Sequence, residues 1–144
     1  TNTAAGAVTR LHDMGIEPFL VASSLVAVIA QRLVRVLCEH CKEAHTPSKA
    51  EWTTLGVAPQ TDAMVWSAKG CKECNLTGYK GRTGIYEVVT LDEQLRQLIH
   101  DGASESRLEQ YARSQSPGIR ADGMRQVLAG RTTLEEVIRV TQQD

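Results

Sequence analysis

Leu37-Cys38-Glu39-His40-Cys41-Lys42 is answered further along the chain by Gly70-Cys71-Lys72-Glu73-Cys74-Asn75, with 29 residues between Cys41 and Cys71. Two residues between cysteines let a tight turn aim both sulfurs at one centre. Two such turns supply the four thiolates that tetrahedral zinc prefers. Loop formers stand beside each pair: Thr46-Pro47-Ser48 follows the first, and Gly70 and Asn75 flank the second. Thiols must lose their protons to bind, and the metal drives this. Cys38, Cys41, Cys71 and Cys74 are all committed, which leaves no open position for substrate. The expected ion is therefore structural Zn2+. An iron–sulfur cluster uses the same donor set, a redox Cys-x2-Cys normally stands alone beside a strand–helix unit, and paired disulfides belong to secreted chains. His40 and His45 are read as exposed loop histidines that could replace a cysteine.

Outward from the cysteines, the sequence reads as α+β. Arg32 to Leu37 forms a short strand into the first turn, and Met64 to Trp66 can pair as another. Between them Ser48 and Glu51 make a capping box for a brief helix carrying Trp52 and Leu55, stopped at Gly56. Residues 57–63 form a polar loop. After the second pair, Gly78-Tyr79-Lys80-Gly81-Arg82-Thr83-Gly84 is a glycine-spaced stretch, and Ile85-Tyr86-Glu87-Val88-Val89 is strongly β-forming.

Helices fill both ends. Ala4 to Met14 carries Val8 and Leu11 on one side and stops at Gly15; Pro18 then opens a second, mostly buried segment. Thr90 and Glu93 form a capping box ahead of Leu91, Leu95, Leu98 and Ile99. Ser104 starts a helix with Leu108, Tyr111 and Ala112. Ser116-Pro117 starts one with Met124, Val127 and Leu128 that ends at Gly130. Thr132 and Glu135 cap the last, whose Leu134, Val137 and Ile138 face inward.

The chain has 144 residues, 42% hydrophobic and 23% charged, so wholesale disorder is excluded. Sixteen Lys plus Arg against seventeen Asp plus Glu give a net charge of −1, which argues against a generally basic nucleic-acid binder. The charge-free run Pro18 to Gln31 is shorter than the ~20 apolar residues of a membrane span and is read as a buried core segment. No signal peptide pattern, phosphate loop, G-x-S-x-G turn or H-E-x-x-H helix appears. The start at Thr1-Asn2-Thr3, without Met, reads as a cut through a larger protein.

Several runs, in order, carry a resemblance: Thr1-Asn2; Arg10-Leu11-His12-Asp13-Met14-Gly15-Ile16-Glu17-Pro18-Phe19; Ala30-Gln31-Arg32-Leu33-Val34-Arg35; the two cysteine pairs; Gly78 to Gly84; and Thr133-Leu134-Glu135-Glu136-Val137. Together they resemble the C-terminal part of the general secretion pathway protein E family. That family is the cytoplasmic ATPase of bacterial type II secretion, within the type II/IV secretion ATPase superfamily. The resemblance implies a hexameric motor, using ATP and Mg2+, that powers pseudopilus assembly and export of folded proteins. It would dock peripherally at the inner membrane through platform proteins. The phosphate loop, Walker B segment, Asp box and His box would lie upstream, the last beside Thr1-Asn2. Residues 1–37 would then be the end of a RecA-like ATPase core, 38–82 the tetracysteine zinc module, and 83–144 a C-terminal strand and helical subdomain. Such a fragment alone should not hydrolyse ATP.

By the same resemblance Arg10 and Arg82 are candidates to contact nucleotide phosphates or a neighbouring subunit, since phosphoryl transfer needs positive charge near the developing negative charge. An ordinary surface or salt-bridging role is the alternative, weighed about equally for Arg82 and less for Arg10. A type IV pilus assembly ATPase carries the same tetracysteine pattern and is the alternative within the superfamily; Gly15-Ile16-Glu17-Pro18-Phe19-Leu20 suits the secretion branch better. Outside it stand a zinc-ribbon nucleic-acid binder, for which Lys69, Lys72, Lys80 and Arg82 give local charge but only Tyr79 and Trp66 offer stacking, and a zinc module that docks protein partners.

Overall fold

A computed structural model describes residues 3–142. Thr1-Asn2, which carried the first part of the resemblance, lies outside the described residues. The elements in order are α1 (Ala4–Asp13), α2 (Pro18–Ser24), β1 (Ala27–Leu37), β2 (Glu43–His45), α3 (Lys49–Leu55), β3 (Val65–Ser67), β4 (Tyr79–Thr90), α4 (Glu93–His100), α5 (Glu105–Gln115), α6 (Ile119–Leu128) and α7 (Leu134–Thr141). The fold is α+β, with two small antiparallel sheets, β1–β4 and β2–β3. In the second, Glu43 faces Ser67, Ala44 faces Trp66 and His45 faces Val65.

The chain forms two compact units that are interleaved in sequence: residues 3–31 with 86–119, and residues 32–85 with 120–142. In the first unit α1 packs on α5 and α2 on α4. Its core is Ala4, Ala5, Val8, Val21, Ala22, Val89, Leu91, Leu95, Ile99, Leu108, Tyr111 and Ala112. Small residues on α1 let the helix lie close to its neighbours. Thr3 accepts from the Gly6 N–H to open α1, and Pro18 occupies the first turn of α2, where its missing N–H costs nothing. One charge is buried in this core. Glu87, 2% exposed, accepts the Ala4 N–H at 3.0 Å at the start of α1 and pairs with Arg113 of α5. Desolvation lowers the Arg113 pKa.

The second unit buries Val34, Leu37, Ile85, Met124, Val127, Leu134 and Val137. It also buries Glu136, whose carboxylate takes the Arg35 side chain through Nε at 3.1 Å and Nη2 at 3.0 Å, the Arg35 backbone N–H at 3.0 Å, and Arg139 Nη2 at 2.6 Å. Arg35 lies 4.1 Å from the centre of the Tyr79 ring, and the Tyr79 hydroxyl meets Thr133 Oγ1 at 2.9 Å. Thr132 donates to the Arg35 carbonyl at 2.8 Å. The first strand leading to the cysteines is thereby fastened to the start of α7.

Several expectations are corrected. The run Pro18 to Gln31 is mostly exposed; only Val21 and Ala22 in it are buried, because α2 is short and β1 presents alternate residues outward. β1 accordingly begins at Ala27 rather than Arg32, and β4 takes in the glycine-spaced stretch from Tyr79. The α4 cap is Asp92, accepting from Leu95 N–H at 2.8 Å, while Thr90 is still in the strand. The α7 cap is Thr133, accepting from Glu136 N–H at 3.1 Å, because Thr132 is turned to Arg35. The helix expected from Ser116-Pro117 starts at Ile119. The Ser48–Glu51 box forms as expected, as does the Ser104 cap.

Candidate metal centre

Leu37 N–H donates to the Arg131 carbonyl and Cys38 N–H to the Gly78 carbonyl, at 2.8 and 3.0 Å, so the end of β1 delivers the first cysteine turn beside the start of β4. Cys38 O then accepts from Cys41 N–H at 3.4 Å and from Lys42 N–H at 3.1 Å, which folds the pair back on itself. The second turn is a single 3-10 turn over Lys72–Cys74, followed by Asn75 and Leu76 at φ 56° and 65°. These left-handed residues swing the chain around so that Gly78 N–H returns to Cys74 Sγ at 3.2 Å.

The sulfurs converge. Cys38 and Cys71 Sγ are 3.8 Å apart, Cys71 and Cys74 3.8 Å, and Cys41 and Cys74 3.9 Å. All four lie within 4.8 Å of one another. A tetrahedral ion bound at about 2.3 Å sets its sulfurs about 3.8 Å apart. Disulfide sulfurs would be about 2.05 Å apart, and all four cysteines are free. The residues present therefore fit a metal ion held by four thiolates.

Backbone N–H groups aim at these sulfurs as well: Gly70 at Cys41, at 3.3 Å, and Cys71 and Gly78 at Cys74, both at 3.2 Å. Both glycines have positive φ, 108° and 85°, and neither has room for a side chain. A Cβ on Gly70 would lie 2.7 Å from the Leu76 carbonyl oxygen, and one on Gly78 would lie 2.7 Å from Ala68 Cβ. The groups around the sulfurs split their acidities. Burial pushes the Cys41 thiol up to about 11. Burial also opposes ionisation of Cys74, but the Cys71 and Gly78 N–H donors outweigh it and bring that thiol down to about 6.

Neither His40 nor His45 joins the cluster. His45 sits in β2 and meets Glu51 at 3.1 Å, the same carboxylate that closes the α3 capping box. The backbone bond from Ser48 is the main reason the Glu51 pKa is lowered. Lys42, one residue past the first pair, bonds the Gly130 carbonyl at 2.9 Å and lies 5.3 Å from the Trp66 ring centre. It ties the cysteine turn to the α6–α7 connection. That tie escaped sequence reasoning because its partner is a backbone carbonyl 88 residues away.

Arg10 and Arg82 fall in different units, and both are exposed. Arg10 is on α1 beside an open apolar groove that includes Leu11, Met14, Val28 and Ile29; Arg82 is on β4. No ion pair among the described residues uses either. No helix among the described residues is long and apolar enough to cross a membrane.

Comparison with known proteins places the centre in context. The type II/IV secretion system protein family model matches residues 1–139. The type II secretion system protein E of Pseudomonas aeruginosa is 54% identical over all 144 residues, which cover 29% of that protein. The type II secretion system ATPase E of Vibrio cholerae is 50% identical over 99% of the chain and 28% of its own length. A type IV pilus assembly ATPase, TfpB of Acinetobacter baylyi, is 44% identical over 97% of the chain and 24% of its own length. The chain thus spans less than a third of each of these relatives. The chain that builds this four-sulfur centre belongs to the type II/IV secretion system protein family.

Proposed function

We propose that the chain is the C-terminal portion of the ATPase subunit that powers type II secretion, with structural Zn2+ on Cys38, Cys41, Cys71 and Cys74. The observation that carries this reading is identity of 54% along the whole chain to a secretion protein E more than three times as long. Residues 1–37 then end a RecA-like core, 38–82 form the zinc module and 83–144 the C-terminal subdomain. The first unit supports this. It leaves Met14, Phe19, Leu20, Val26 and Ile29 from 47% to 72% exposed, none of them buried in its own core. Apolar side chains that bare suit a strip of a larger core.

The zinc ion, when bound, supplies a crosslink rather than chemistry, since four protein thiolates fill its tetrahedron. Gly70, Cys71 and Gly78 orient the sulfurs through their N–H groups, and Lys42 and Arg35 anchor the turns to the α6–α7 region. ATP and Mg2+ bind the remainder of the protein, which assembles as a hexamer at the inner membrane on platform proteins. Arg10 and Arg82 reach toward nucleotide phosphate or an adjacent subunit; their lack of an acidic partner among the described residues supports this.

The test is ATP turnover by the full-length hexamer. Arg10→Ala and Arg82→Ala are each expected to lower it at least about 100-fold, the scale of lost transition-state charge, while the 144-residue chain alone turns over none. Wild-type turnover in both variants would remove the arginine assignment. The similarity to a pilus assembly ATPase supports a second reading, in which the same motor builds a pilus. Deleting the gene separates them: loss of folded proteins from the medium with pili retained is expected, and the reverse assigns the chain to pili.

A further inference from the structure

The four sulfurs are chemically unequal. Cys74 Sγ accepts two backbone N–H groups and is 5% exposed as a residue. Cys41 is half-buried, and its Sγ accepts the Gly70 N–H. Cys38 Sγ accepts no N–H among the described residues, but Cys38 is 1% exposed. Cys71 alone combines partial exposure with a sulfur that receives no N–H donor among the described residues. Donation to a thiolate draws charge from sulfur and slows its attack, and oxidants select thiolates that are both electron-rich and reachable.

We propose that Cys71 is an oxidation-sensitive thiolate, through which two-electron peroxide oxidants convert Cys38 and Cys71 to a disulfide and dismantle the centre. This rests on reading the four cysteines as a metal site. In the first step the Cys71 sulfur attacks one peroxide oxygen. An S–O bond forms, the O–O bond breaks, and hydroxide leaves and takes up a proton as water, giving a sulfenic acid. In the second, the Cys38 thiolate, 3.8 Å away, attacks the Cys71 sulfur. The S–S bond forms, the S–O bond breaks, and the hydroxide leaves as a second water. Two thiolates have lost two electrons and the peroxide has gained them. Cys74 is equally near Cys71, but its two N–H donors make it the poorer attacker. The disulfide withdraws two of four donors, and Cys41 and Cys74 alone do not complete a tetrahedral site.

The experiment uses the zinc-loaded chain, with zinc content measured first. It is treated with limiting hydrogen peroxide, with and without dimedone to trap sulfenic acid, then mapped by mass spectrometry without reduction while a chromophoric chelator reports released zinc. Dimedone should mark Cys71 roughly tenfold over Cys74. Without it, a peptide joined through Cys38 and Cys71 should accumulate in step with zinc release, and dithiothreitol with added zinc should restore the centre. First modification at Cys41 or Cys74, a dominant Cys71–Cys74 disulfide, or zinc retained after crosslinking would overturn the proposal alone. A chain that binds no zinc at the outset would overturn the metal reading and this proposal with it.

Discussion

At the scale of single residues, the centre depends on atoms that are not ligands. Gly78 holds φ 85°, sits against Ala68 and gives its N–H to Cys74 Sγ. Gly78→Ala should weaken zinc binding about 10–100-fold, the range for loss of a ligand-orienting contact, as measured by competition with a chelator of known affinity. Unchanged affinity would mean the turn relaxes without moving the sulfur. Glu136 behaves differently. Burial raises its pKa, but the Arg139 and Arg35 donors win and hold it at about 2, against an ordinary 4.5. A carboxyl depressed on folding stabilises fully above its unfolded value and loses that contribution as pH falls through its folded one. Stability from this group should therefore decline between about pH 4.5 and 2. Glu136→Gln should flatten that part of the curve and cost about 1–3 kcal/mol at neutral pH, read from urea midpoints at several pH values. A variant as acid-sensitive as the parent would dissociate Glu136 from the acid limb. The cysteine cluster was legible in the sequence because the spacing within each pair is local. Glu136 was not: in sequence it is one of two adjacent glutamates, and its partner Arg35 is 101 positions away.

At the scale of elements, local chemistry found most helices and misplaced some of their ends. Ser48 with Glu51, Ser104, and Gly15 after α1 all act as their residue types predict. The misplaced caps, Thr90 for Asp92 and Thr132 for Thr133, share a cause: two candidate oxygens stood near each start, and tertiary structure assigned the other one elsewhere. Thr132 serves Arg35, and Thr90 remains in β4. Strand lengths were underestimated because β1 and β4 continue through residues whose pattern is not a clean alternation. A tight approach between α6 and α7 is equally invisible locally. On Gly123 of α6 a Cβ would fall 2.5 Å from Val137 Cγ1 of α7 and 3.2 Å from Ile85 Cδ1. Val137 is branched and fully buried, so it has nowhere to go. Gly123→Ala, helix-favouring elsewhere, should here destabilise by about 1–3 kcal/mol in chemical denaturation. A stabilised variant would show that α6 and α7 move apart at no cost.

For the whole molecule, an ion held by the four cysteines would be the largest single term available to the second unit. Structural zinc contributes on the order of 10 kcal/mol to small modules. Cys71→Ser, or a strong chelator, should melt the segment from Cys38 to Arg82, seen as loss of amide protection there while α1, α4 and α5 of the first unit keep theirs. Thermal stability unchanged by metal removal would refute a structural ion. The sequence by itself determined the α+β class, the two cysteine pairs whose sulfurs converge and the family, because each is carried by short spacings or by runs of consecutive residues. Only the tertiary structure decided that the compact units interleave, that Pro18–Gln31 is largely bare, that Glu87 and Glu136 are buried with arginines, and that Cys71 has no N–H donor among the described residues. Burial and pairing of this kind depend on which distant surfaces meet when the chain closes, and no periodicity within a single element records that.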